Sequence, residues 1–165
     1  MAGAFRSRGL MVAVLMLAAC LSNQSRAADE LQLSTDGWHS WRVASVTPPD
    51  EETIFVLIKS GRAEEIEIAG HWCRQRRHEA AVDHGLLSTD TSIDWLQHHL
   101  GNPSDLGEHA LAAISRHAGH RALQILIDIV ESDAAADTRQ EAIFWMTMSG
   151  SDAAFDYIDD LLMAD

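Results

Sequence analysis

Between Gly37 and Ala69 the apolar positions come in short runs and alternations, the rhythm of strands whose successive side chains point to opposite faces. Trp38, Trp41, Val43 and Val46 mark a first extended segment, which Pro48 and Pro49 end. The run from Thr53 to Lys59 (TIFVLIK) is β-branched and aromatic, Ser60-Gly61 reads as a turn, and Ile66 alternates with Ile68 between Glu65 and Glu67. The expectation is a small antiparallel sheet in a β-rich region over 37–90, with a hairpin near Gly61 and one covered face.

From Thr91 onward the spacing changes to that of helices. Thr91 with Asp94 resembles a capping box opening a helix that carries Ile93, Trp95, Leu96 and Leu100 and stops at Gly101-Asn102-Pro103. Four more helices follow in two pairs. Asp105 with Glu108 opens the first, Gly119 ends it, and the second runs from about His120 to Ser132. Asp137 with Gln140 opens the third, Gly150 ends it, and the fourth starts at Asp152.

Shifted by 32 residues, the first pair falls on the second: Ala110 on Ala142, Ile114 on Met146, Leu123 on Phe155, Leu126 on Ile158 and Ile129 on Leu161. A helix-turn-helix unit recurring at 20 to 50 residues is the signature of an α-solenoid, in which each unit buries its apolar face on the next. Two units leave much of that face uncovered. The helix over 91–100, with Trp95 and Leu96, is expected to cover one side, and Asp152, Asp156, Asp159 and Asp160 give the last helix the polar outer face of a terminal unit. The apolar stretch from Ala142 to Met146, containing Trp145, is expected to be covered on more than one side.

The segment EAIFWMTMSGSDAAFDYIDDLL (141–162), preceded by AADTRQ, resembles the repeat unit of bacterial HEAT-repeat proteins. In that unit an arginine-bearing entry turn leads to an AIFWL-type helix, a glycine, and an acidic-small pair before the second helix. The likeness is weaker over 104–132. Upstream, a hydrophobic strand, a Gly-Arg turn, a strand ending near Cys73 and Ser92-Ile93-Asp94-Trp95-Leu96 are similar to the sheet-like N-terminal half of some secreted members. The basic, histidine-rich stretch from Arg74 to Ser88 departs from that pattern. The resemblance implies an interaction scaffold without catalytic residues. The fold class expected is mainly α with a small N-terminal antiparallel β element: a HEAT-like α-solenoid of two helix pairs plus a preceding helix, over 91–165.

The first residues change the expected address. Arg6 and Arg8 precede the apolar run Leu10–Leu21 and the polar stretch SNQSRAADE, the three parts of a secretory signal peptide over 1–27. The apolar run is well short of the about 20 residues that a permanent membrane helix needs. Two exits compete. Ser25-Arg26-Ala27 suits ordinary signal peptidase, while Leu17-Ala18-Ala19-Cys20 resembles the bacterial lipobox, which makes Cys20 the lipidation site and the new N-terminus. Residues 28–36 read as a tether. The expected location is the bacterial periplasm, as a secreted protein or a lipoprotein anchored at Cys20.

The chain of 165 residues carries 12 basic and 25 acidic side chains, a net charge of −13, and removing Arg6, Arg8 and Arg26 leaves 9 basic ones and −16. Such a surface repels nucleic acid and gains nothing from anionic lipid, so membrane contact is expected only through an anchor at Cys20. Gly-x-Ser-x-Gly and glycine-rich phosphate loops are absent, and most carboxylates lie at helix starts, where they answer free amides and the dipole. No catalytic residue and no cofactor is expected. His71 and Cys73 are two apart on an expected strand, and with His78 they form a candidate three-ligand site for zinc or copper, although the spacing fits no established signature. His98 and His99, and His117 and His120 across Gly119, read as solvated caps; Arg74, Arg76 and Arg77 read as the counterweight to Glu64, Glu65 and Glu67. The expected function is a non-enzymatic protein–protein interaction scaffold that contacts another envelope or secreted protein, through exposed apolar residues such as Met146, Met148 or Tyr157. The alternative is a metal-binding or thiol-active accessory protein using Cys73 with His71 and His78.

Overall fold

The hairpin at Ser60-Gly61 anchors the sheet. In the computed structural model, which describes residues 31–46, 50–69, 80–101 and 105–163, Ser60 and Gly61 both have positive φ, 52° and 70°. Lys59 pairs with Arg62 across them. Two left-handed residues in a two-residue turn follow the natural strand twist, and a serine there costs about 1–2 kcal/mol. Strands β1 (Gly37–Ala44), β2 (Glu51–Lys59) and β3 (Arg62–Ala69) form an antiparallel meander. All five residues from Glu52 to Val56 are buried, so both faces of β2 are covered along the β-branched run.

A fourth strand, β4 (Val82–Leu86), pairs in parallel with the other edge of β1, giving a mixed sheet of order β3-β2-β1-β4. This overturns the expected mainly α fold with a small antiparallel element: helices hold 50% of the described residues and strands 27%. The reason is chemical. In VDHGL the apolar residues Val82 and Leu86 are both exposed, so β4 has no buried face to write an alternation. Its place comes from the backbone of β1, extended by Leu87 N–H donating to the Arg42 carbonyl at 2.9 Å. The leader, Cys20, Pro48, Pro49 and the stretch from His71 to His78 lie outside the described residues.

Helix α1 (Thr89–Gln97) starts before the expected box, because the Ser88 hydroxyl accepts from the Thr91 amide at 3.1 Å and caps it. Four helices follow: α2 (Asp105–Ser115), α3 (His120–Glu131), α4 (Ala136–Ser149) and α5 (Asp152–Met163). Moved by 32 residues, α3 takes the bounds of α5, and α2 falls within α4. Gly150, in the left-handed region at φ 65°, closes α4. Among these helices α2 is the most enclosed, packing on β3 and on α4 with Leu106, Gly107 and Ala110 to Ser115 buried.

Leu111, Leu126, Ala142, Met146 and Ala154 form the apolar cluster between the helix pairs, with Leu123, Trp145 and Ile158 packed around it. Only one side of α4 is covered. Ala142 and Met146 are buried, Trp145 is half-buried, and Phe144 is 53% exposed. The expected cover on more than one side is therefore incomplete, and the outer side of α5 is not wholly polar either.

Candidate functional site

Where β1, α1 and α2 meet, polar groups are buried and linked in series. The His117 ring donates from Nδ1 to the Ala113 carbonyl at 2.9 Å, which leaves Nε2 as an acceptor. Ser92 Oγ donates to that nitrogen at 2.8 Å and accepts from Trp41 Nε1 at 2.7 Å. A serine facing a histidine is also how a nucleophile meets its base. Here Ser92, His117 and Trp41 all have no exposed surface, so the chain of bonds is closed to solvent and pins a strand to two helices. Burial pushes the His117 pKa down to about 4, against a smaller upward pull from the Ala113 and Ile114 carbonyls. The expectation of a solvated histidine fails here: the ring is core, and the backbone beside it bonds to β1 through Ala118 N–H to the Ala44 carbonyl at 2.8 Å.

Next to it, Arg116 donates through Nη2 and Nε to Glu52 Oε1, at 2.7 and 3.2 Å, and through Nη1 to the Met148 carbonyl at 3.3 Å. One guanidinium thus joins β2 and the C-terminal ends of α2 and α4. Glu52 is 3% exposed, and its Oε2 has no hydrogen-bond partner. Arg121 fastens α3 to α1 by bonding Asp90 at 2.9 Å, Gln97 at 3.0 Å, and Asp94.

His39 Nε2 donates to the Thr35 carbonyl at 2.8 Å, so its Nδ1 accepts from His84 Nε2 at 3.0 Å. The ring centroids are 5.3 Å apart and the planes 23° from parallel. That separation is the nitrogen–nitrogen distance plus two ring radii, so the rings meet edge to edge in a linear N–H···N bond. Two lone pairs converging on a metal would have a different geometry. Burial, then the neighbouring His39, lowers the His84 pKa, and Asp83 opposes them. Among the described residues no group of three or more histidine, cysteine or acidic side chains is placed to hold a metal. His71, Cys73 and His78, the candidate ligands, lie outside those residues, as do Arg74, Arg76 and Arg77. His98 is an exposed cap whose Nδ1 donates to the Asp94 carbonyl at 2.6 Å, while His99 packs its ring 4.4 Å from that of Trp95, and burial followed by His98 lowers its pKa.

Away from these bonded interiors the surface changes character. A cleft of about 490 Å³ opens at the N-terminal ends of α2 and α4, with Leu100, Leu111 and Ile129 as its floor and Asp105, Glu108 and Glu141 on its rim. Partial burial raises the Glu141 pKa, helped by the charge of Glu108 and a hydrogen bond to it.

Among the described residues the largest apolar exposure lies further along α4 and on α5. Phe144 and Met148 are 53% and 50% exposed, and Phe155, Leu161, Leu162 and Met163 are 43%, 41%, 71% and 83% exposed. Helical spacing sets Asp137, Glu141, Phe144 and Met148 on one stripe of α4 and Asp152, Phe155, Asp159 and Leu162 on one stripe of α5. Of the residues expected to make the contact surface, Met148 is exposed, Tyr157 is half-buried, and Met146 is buried in the apolar cluster. Phe144, Phe155, Leu161, Leu162 and Met163 were the ones missed. No local signal singled them out: α4 is apolar on several sides, and which of its residues and those of α5 stay uncovered is set by the packing of the neighbouring helices. Compared with protein-family models, with curated proteins and with solved structures, the chain matches none.

Proposed function

We propose that the protein is a non-enzymatic interaction module that docks another protein on the outer surface of α4 and α5. One observation carries this reading: of the eight large apolar side chains exposed among the described residues, Phe144, Met148, Phe155, Leu161, Leu162 and Met163 lie on these two helices. Apolar side chains exposed on two successive helices that also carry acids are what partner surfaces use. The buried Ser92–His117 pair is closed to substrate, which favours a binding role over a hydrolytic one. The resemblance to HEAT-repeat units belongs to this proposal and is supported by the shared bounds of α3 and α5 after a shift of 32 residues.

The proposed location is the bacterial envelope or the medium beyond it, from the leader pattern at 1–27 and the lipobox-like Cys20. None of the described helices is long and apolar enough to cross a membrane. The test is site-specific photocrosslinking in cells that make the full chain, with the crosslinker placed at Phe144, at Leu162, or at Glu64 on β3 as a control. One defined adduct from Phe144 and Leu162 that is absent from Glu64 is expected. Equal labelling from all three positions, or none from the first two, overturns the reading.

A further inference from the structure

Resting on the interaction-module reading, we infer that the partner presents a basic amphipathic helix, whose apolar side packs on Phe155 and Leu162 while its lysines or arginines meet Asp152 and Asp159. The spacing of α5 supports it. Asp152, Phe155, Asp159 and Leu162 follow one another at steps of three and four along a single exposed stripe. The stripe is about 15 Å long, which suits a helix of three or so turns laid alongside.

Charge decides which kind of helix. The sequence of α5, DAAFDYIDDLLM, contains four aspartates and no basic side chain. Asp152 sits in the first turn, where the helix dipole welcomes it, but Asp159 and Asp160 lie toward the C-terminal end, where the dipole is already negative. Among the described residues these four carboxylates have no ion-pair partner. Among the described residues nothing pairs with the negative charge around Phe155 and Leu162, and a cationic helix gains Coulomb energy there as well as apolar contact. A second copy of this chain brings the opposite. It carries a net charge of −13, and α5 facing α5 would oppose aspartates to aspartates.

The test uses the full chain and two labelled 18-residue probe helices with leucines at the same positions, one otherwise lysine and the other otherwise glutamate, read by fluorescence anisotropy. The lysine probe is expected to bind, weakening as salt is raised, and the glutamate probe is expected not to bind. Asp152→Asn with Asp159→Asn should weaken the lysine probe about fivefold. Phe155→Ser with Leu162→Ser should weaken it about tenfold. Asp50→Asn with Glu64→Gln, which removes as much charge from the exposed sheet side, should leave it unchanged. Circular dichroism and melting confirm that each variant is folded. Absence of lysine-probe binding, equal binding of both probes, or equal losses in the α5 and sheet-side variants overturns the inference. So does concentration-dependent dimerisation that Leu162→Ser abolishes, since the stripe then belongs to a second copy. If the lysine probe fails while the crosslinks from Phe144 and Leu162 persist, the basic helix is wrong and the interaction module stands. If the crosslinks fail, the module reading itself falls.

Discussion

The junction of β1, β2, α1 and α2 and the outer side of α4 and α5 solve opposite problems. At the junction, polar groups are taken out of water and, Glu52 Oε2 apart, answered: Trp41, Ser92 and His117 bond in series, and Arg116 meets Glu52 Oε1. On α4 and α5, apolar groups are left in water unanswered, with Phe144 and Leu162 at 53% and 71% exposure. Burying a polar group costs free energy unless its bonds are rebuilt inside, so the junction is specified by its own geometry. Exposed apolar area costs nothing comparable in the isolated chain and returns stability only when something covers it. The first region therefore holds the protein together, and the second is available to another molecule.

That contrast makes graded predictions. Arg116→Ala strands the buried Glu52 carboxylate, already short of one partner, and should cost about 3–5 kcal/mol in urea denaturation. A loss below 1 kcal/mol, read against the about 3–5 expected, would mean that water reaches Glu52 and that the junction is looser than described.

A pH titration of stability comes next. The folded pKa of His117, about 4, lies below its ordinary value of 6.5, so between these values the unfolded chain binds more protons. The stability held by the neutral ring is complete above pH 6.5 and is lost as pH falls toward 4, by about 3 kcal/mol in all. His84 and His99, lowered by burial, contribute with the same sign. A His117→Gln variant should have a markedly shallower slope between pH 6.5 and 4, and an unchanged slope would remove His117 from the explanation.

Ser92→Ala leaves Trp41 Nε1 and His117 Nε2 without their partner and should cost about 2 kcal/mol by thermal melting. The smallest effect belongs to the other region. Phe144→Ser and Leu162→Ser should each change stability by no more than about 0.5 kcal/mol while removing the crosslinked adduct. If either destabilises the isolated chain as much as Ser92→Ala, its side chain is part of the fold and the contrast between the regions fails.

Local chemistry made much of this legible. The Ser60-Gly61 turn, the helix starts near Asp105 and Asp152, the stop at Gly150 and the period of 32 all depend on residues within a few positions of one another. The strand β4 did not have such a signal, because VDHGL buries neither of its apolar ends. Nor did His117. A histidine two residues before Gly119 looks like a cap, and only Ser92, 25 positions earlier, and Trp41 show that it is core. For the contact surface, the sequence named Met146 and Met148 together, but which methionine faced outward depended on where α2 and α3 packed.

By itself the sequence determined the periodicities: strands before residue 70, helices from about Thr91, and two helix pairs related by a shift of 32 residues. These follow from backbone geometry and the spacing of apolar side chains, which act over one or two turns. Only the tertiary structure decided that the sheet is mixed, that Glu52 and His117 are buried, and that Phe144, Phe155 and Leu162 are left outside. Those outcomes depend on which surfaces meet across long stretches of chain, and the cover available to a side chain is set by its neighbours in space.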